Sequence, residues 1–224
     1  MAYAAGIERI LASHVALMDA YDPRGRIDLV CDEWGTWWNV EEGTNPGFLF
    51  QQNTVRDALV AGLHFDIFHR HARRLTMANI AQAVNVLQAM ILTDGGDMLL
   101  TPTYHVYGMY KVFQDATSIP FTINGGEYKQ GDQSLPAVTA SIAKGQDGKV
   151  YIALVNLDPA NEAEVALDFD NGDYSSLIGQ ILTADAITAK NTFDAKEVVK
   201  PASFSSDLDE LVLPAKSIVV AELK

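Results

Sequence analysis

Cysteine is nearly absent: Cys31 is the only one in 224 residues. No disulfide can form within the chain, and no Cys-x-x-Cys metal pattern exists. Basic residues are also scarce, with 16 Lys and Arg against 29 Asp and Glu and a formal net charge of −13. A surface that binds nucleic acid needs clustered Lys and Arg to release counterions. The densest basic group, Arg70, Arg73 and Arg74, is flanked by neutral sequence, so no nucleic-acid partner is expected. No run of about 18 apolar residues occurs, and no membrane partner is expected. The N-terminus, Met-Ala-Tyr-Ala-Ala-Gly-Ile-Glu-Arg, lacks the basic start and apolar run of a signal peptide, which points to a cytoplasmic location.

What is present is core material. Hydrophobic residues make up 48% of the chain, enough for one or two domains. Ile7, Ile10, Leu11, Val15 and Met18 recur at helical spacing, ahead of a turn at Asp22-Pro23-Arg24-Gly25. Ile27 to Cys31 is short and apolar and reads as a strand buried on both faces, as in a parallel sheet. A helix is expected over 53–70, with Asn53 as its cap, then a strand over Leu75 to Ile80. Val84 to Leu92 reads as an apolar helical run, and Thr103 to Gln114 as a helix weighted by Tyr104, Tyr107 and Tyr110. Alternation of this kind implies parallel strands joined by crossover helices.

After Ser118 the pattern changes to short alternating runs: Val138 to Ile142, Tyr151 to Val155, Val165 to Phe169, Leu211 to Leu213 and Ser217 to Leu223. Turns at Gly125-Gly126, Asp147-Gly148, Asp158-Pro159 and Asn171-Gly172 punctuate them, the rhythm of an antiparallel β-sandwich. The fold class is therefore α/β plus all-β, with the α/β part over 1–118 and the sandwich over 119–224. Two parallel strands cannot make a covered sheet. The first part reads as the end of a larger barrel whose other strands lie outside these residues.

Asp32-Glu33 follows the first of those strands, at the end where catalytic groups project in α/β barrels. Trp34, Trp37 and Trp38 come just after, and indole faces stack against sugar rings. A strand-end carboxylate among tryptophans suits glycoside cleavage. One carboxylate attacks the anomeric carbon, and a second, roughly 5 Å away in retaining enzymes, protonates the leaving oxygen. An Asp-Glu pair in this place is more often a helix cap or a solvated loop start.

The surrounding residues carry more weight. Asp32-Glu33-Trp34-Gly35-Thr36-Trp37-Trp38 and Gly43-Thr44-Asn45-Pro46-Gly47-Phe48-Leu49-Phe50-Gln51-Gln52-Asn53-Thr54 resemble glycoside hydrolase family 51. So do Met77-Ala78-Asn79-Ile80-Ala81-Gln82-Ala83-Val84-Asn85-Val86-Leu87-Gln88 and Leu100-Thr101-Pro102-Thr103-Tyr104-His105-Val106. The resemblance implies an α-L-arabinofuranosidase with the last strands and helices of a (β/α)8 barrel, then an antiparallel jelly-roll-like β-sandwich, acting by retaining double displacement. Glu33 matches the nucleophile, Trp37 a tryptophan walling the sugar pocket, and Gln82 a glutamine bonding the arabinofuranosyl ring. Asp32 is expected to support the nucleophile by hydrogen bonding. The family needs no cofactor, metal or organic. Its acid/base glutamate lies upstream, so none is expected in this chain.

The implied partners are an arabinose-containing oligo- or polysaccharide, an N-terminal barrel half (from the same gene or a partner chain) and further copies of the chain. The rival reading is a non-catalytic carbohydrate-binding or assembly module. Other motifs read as structural. His64, His69 and His71 do not share one helical face and are expected at the helix end and surface, not as metal ligands. Cys31 is expected to act as a small hydrophobe, and Thr93-Asp94-Gly95-Gly96-Asp97 as a plain turn.

Overall fold

A computed structural model describes residues 1–170 and 172–224. The turn expected at Asn171-Gly172 therefore falls partly outside the described residues. The chain opens with α1 (Ala2–Ala5) and α2 (Ile7–Tyr21), followed by β1 (Leu29–Trp34), α3 (Val55–Arg70) and β2 (Leu75–Ile80). β1 and β2 pair in parallel, the arrangement that the alternating pattern implied. The Arg70, Arg73 and Arg74 group serves α2: Arg70 pairs with Glu8 at 2.6 Å, and Arg73 and Arg74 both pair with Asp19. Arg74 is buried, and it also donates to Asp22 at 3.1 Å and to the Ile27 carbonyl at 3.0 Å. A buried guanidinium is tolerable when its donors are satisfied in this way.

Three local expectations need correction. The cap of α3 is Thr54, not Asn53: Thr54 and Asp57 form a capping box. Asn53 is buried, and its amide instead donates to the Leu87 and Ala89 carbonyls, each at 3.2 Å. The run Val84 to Leu92 is no helix. Asn85 and Leu87 take left-handed φ values of 60° and 52°, and backbone amides leave the segment, Leu87 N for Leu49 O and Gln88 N for Ala81 O. Those long-range bonds override helical spacing. The segment then enters a hairpin, β3 (Ile91–Asp94) and β4 (Asp97–Leu100), whose turn is the plain Gly95-Gly96 turn expected. Finally, the first strand is not buried on both faces. Val30 and its register partner Met77 are 43% and 55% exposed, because β1 pairs with β2 alone and nothing described here covers that face.

α4 (Pro102–Tyr110) leads into the all-β part: β5 (Thr117–Ser118), β6 (Glu127–Gln130), β7 (Gln133–Pro136), β8 (Val138–Lys144), β9 (Val150–Asn156), β10 (Ala163–Glu164), β11 (Ser176–Leu182), β12 (Ala202–Asp207), β13 (Val212–Leu213) and β14 (Ser217–Leu223). Six of them form one antiparallel sheet in the order β12-β11-β14-β9-β8-β5. Its strands alternate with period two, and in the central strands β9 and β14 both faces are buried. Ala153, Val155, Ile218 and Val220 face a core shared with α3 and α4. Ile152, Leu154, Val219 and Ala221 face a second core, closed by Leu211 and Leu213 together with Ala163, Val165, Leu167, Phe169 and Tyr174. Val165 to Phe169 pack into that core without forming the strand expected; only Ala163–Glu164 pair, with β13. Among the described residues no closed barrel is present, and no helix is long and apolar enough to cross a membrane.

Candidate active site

The strand β1 carries the carboxylates through an irregularity in its register. Cys31 lies opposite Ala78 and Trp34 opposite Ile80, so two residues, Asp32 and Glu33, face the single Asn79. This two-against-one count is a β-bulge, a device that redirects side chains near active sites. Leu29 and Cys31 pack toward the helices, and the extra residue returns Trp34 to that same side. Asp32 and Glu33 are left exposed within the end of the strand.

Trp34 is therefore no part of a tryptophan ring about Glu33, contrary to expectation. It is 4% exposed and meets His64, Phe65 and Phe68 edge-on at 5.2–5.6 Å. Trp37 and Trp38 stand outside the core, 68% and 39% exposed.

Glu33 and Gln82 flank one backbone contact. The Ala81 amide donates to the Trp34 carbonyl at 2.8 Å, so Glu33 and Gln82 each sit one residue from that bond. Both are exposed. The chain then turns at Gly35, whose φ of +146° suits glycine, and a Cβ there would lie 3.3 Å from both the Ala81 carbonyl and Gln88 Cβ.

Beyond Gly35 a buried polar network fixes the loop. Thr36 N donates to Gln88 Oε1 at 2.8 Å, and Thr36 Oγ1 to Asp57 Oδ1 at 2.7 Å. Trp38 N donates to Gln51 Oε1 at 3.0 Å, and its indole N–H to the same Asp57 Oδ1 at 2.8 Å. The Arg56 guanidinium lies 3.8 Å over the Trp38 ring. Sequence reasoning gave no role to Asp57, Gln88 or Gln51. The Thr54-x-x-Asp57 spacing of a capping box was one available signal.

The histidines have separate partners. His64 Nε2 lies 3.1 Å from Ala4 O, His69 Nδ1 lies 2.8 Å from Ser141 Oγ, and His71 Nε2 lies 2.6 Å from Glu8 Oε1. His64 is buried and His69 half-buried rather than at the surface, and burial pulls both pKa values down to about 4. Among the described residues no His, Cys, Asp or Glu cluster is arranged to hold a metal. Cys31 is half-buried against the core, and that burial pushes its thiol pKa up, away from the reactive thiolate.

Residues 32–217 match the profile of the α-L-arabinofuranosidase C-terminal domain. The chain belongs to the α-L-arabinofuranosidases of glycoside hydrolase family 51. An intracellular exo-α-L-arabinofuranosidase of Bacteroides ovatus is 46% identical over 97% of this arabinofuranosidase-family chain and 44% of its own length. The crystal structure of the family 51 arabinofuranosidase from Xanthomonas axonopodis pv. citri superimposes with a TM-score of 0.95 at 50% identity, covering 99% of the chain and 46% of that protein. An α-L-arabinofuranosidase of Thermotoga maritima, solved as an arabinose complex, shares the fold at a TM-score of 0.83 and 20% identity, over 99% of the chain and 48% of its own. The arabinofuranosidase-family chain thus spans less than half the length of these relatives.

Proposed function

We propose that this chain is the C-terminal part of a retaining glycoside hydrolase that releases terminal α-L-arabinofuranosyl residues from arabinan, arabinoxylan or arabino-oligosaccharides. Residues 1–118 would complete a (β/α)8 barrel, with β1 and β2 as its last strands, and residues 119–224 form a jelly-roll-like sandwich. The observation that carries the reading is the junction of β1 and β2. It sets the exposed Glu33 and Gln82 on either side of one interstrand hydrogen bond, at the strand ends where barrels carry their chemistry. Trp37, exposed four residues on, supplies an apolar wall.

Glu33 attacks C1 and forms an ester with the sugar while the glycosidic oxygen departs with the bonding electrons. Water then attacks C1 and frees the arabinose. Gln82 bonds the ring, and Asp32, beside the nucleophile in the bulge, supports it. No metal or organic cofactor enters either step. The acid/base carboxylate comes from a polypeptide portion outside these residues, which the relatives' greater length supports. General acid–base help is worth about 10² to 10⁴ in rate, so natural arabinosides turn over slowly on this chain alone. We further propose assembly into homo-oligomers and, by likeness to the intracellular Bacteroides relative, an intracellular location.

An aryl α-L-arabinofuranoside with a phenolate leaving group needs little acid assistance. Without a base the sugar ester should also persist. Intact-protein and peptide mass spectrometry after incubation should find one pentosyl adduct on Glu33, and none in Glu33→Gln. Absence of the adduct together with retained arabinose binding would favour a non-catalytic sugar-binding module.

A further inference from the structure

Asp57 is wholly buried at the start of α3 and cannot touch a sugar, yet its two carboxylate oxygens do different jobs. Oδ2 faces the helix: it accepts Thr54 N at 2.8 Å, Thr54 Oγ1 at 3.2 Å and Arg56 Nη2 at 3.1 Å. Oδ1 faces the loop, accepting only from Thr36 Oγ1 and Trp38 Nε1 among these bonds, at 2.7 and 2.8 Å. Those two residues bracket Trp37. Gln88 ties the same parts a second time, since its amide donates to the Asp57 carbonyl at 2.8 Å while its oxygen accepts Thr36 N. Trp37 is thus the exposed residue between two anchored neighbours, and both anchors lead to one carboxylate.

We propose that Asp57 is a positioning residue for the sugar pocket, holding Trp37 at the pocket wall by clamping Thr36 and Trp38 through Oδ1. The inference rests on Trp37 forming that wall. A side chain caught between two fixed neighbours loses little further freedom when a sugar arrives, so ordering it beforehand favours binding. The helix cap is separable, because it uses the other oxygen.

The test uses the chain labelled with 5-fluorotryptophan and followed by fluorine NMR, with L-arabinose as the probe. The three tryptophans give three lines, and Trp37→Phe identifies the relevant one. In the wild type the Trp37 line should be narrow and should move on titration with arabinose. No movement would sink the reading of Trp37 as a pocket wall, and this inference with it, before any variant is compared. Asp57→Asn and Thr36→Val should broaden or split that line and weaken arabinose binding by about tenfold, the scale of one lost hydrogen bond. The buried Trp34 line should stay put, showing an intact core. Thr36→Ser keeps the hydroxyl and should restore both readouts, while Thr54→Ala weakens only the cap and should leave the Trp37 line unchanged. The proposal is overturned if Thr36→Val leaves the Trp37 line as it was, or if Thr54→Ala disturbs it equally.

Discussion

Asp66, on α3, lies fully buried against β8, with the hydroxyls of Tyr110, Thr139 and Ser141 donating to it at 3.1, 2.6 and 2.6 Å. Burial outweighs those donors and pushes its pKa up to about 6. Between its ordinary value of 3.8 and about 6 the folded chain holds a proton that the unfolded chain has lost. The stability this contributes is complete below the lower value and is lost as pH rises through the upper one, at about 1.4 kcal/mol per pH unit at most. Asp66→Asn, which cannot ionise, should therefore gain on the wild type in melting temperature between pH 4.5 and pH 7; a constant difference would contradict this. His64 and His69 act oppositely, since their lowered values mean that stability present above 6.5 is lost as pH falls toward about 4. At this scale the sequence made Glu33 legible, as a carboxylate at a strand end. It could not separate Trp34 from Trp37, because the bulge that sends one inward and leaves the other outside is a property of pairing with β2.

Elements were legible where apolar periodicity was both strong and local. α2, β2, α4, β8, β9 and β14 stand close to where spacing put them. β11 and β12 escaped notice because Gly179 and Gln180 interrupt one apolar run and Ser203, Ser205 and Ser206 dilute the other. Yet Gly179 explains how β11 fits the sheet. A Cβ there would stand 2.2 Å from the Val220 carbonyl and 2.5 Å from Ala221 Cα on β14, both of them backbone atoms. Gly179→Ala must push β11 away from β14, and overpacking of this kind costs about 3 kcal/mol. Thermal unfolding should come roughly 6–12 °C earlier in a chain of this size. A change under about 2 °C would mean that the sheet yields more easily than this contact implies.

Across the whole molecule, the exposed apolar face of β1 and β2 supports the proposed association of this chain when it is expressed alone. Val30 and Met77 are register partners on that face, and Ile27 just before β1 is 62% exposed. Exposed apolar strands with an open edge recruit other chains. Light scattering should find multiples of 24.4 kDa, and Met77→Lys should shift the distribution toward single chains. A monodisperse wild-type monomer would contradict this. The change from mainly helical to mainly extended elements along the chain was legible in the switch from helical to alternating spacing. The shared core was not, because a sequence does not display which face of α3 meets which sheet. That helix bears Asp57 near one end and Asp66 nine residues later, about 13 Å along its axis, the first held to the loop of Thr36 and Trp38 and the second to β8. A rigid helix so fastened works as a surveyor's rod, setting the loop of Thr36 and Trp38 by reference to the sheet that contains β8. On the proposed reading of Trp37 as a pocket wall, exchanging the C-terminal sheet for a distant relative's should re-seat the rod and retune sugar selection at a distance, without altering any side chain proposed to approach the sugar.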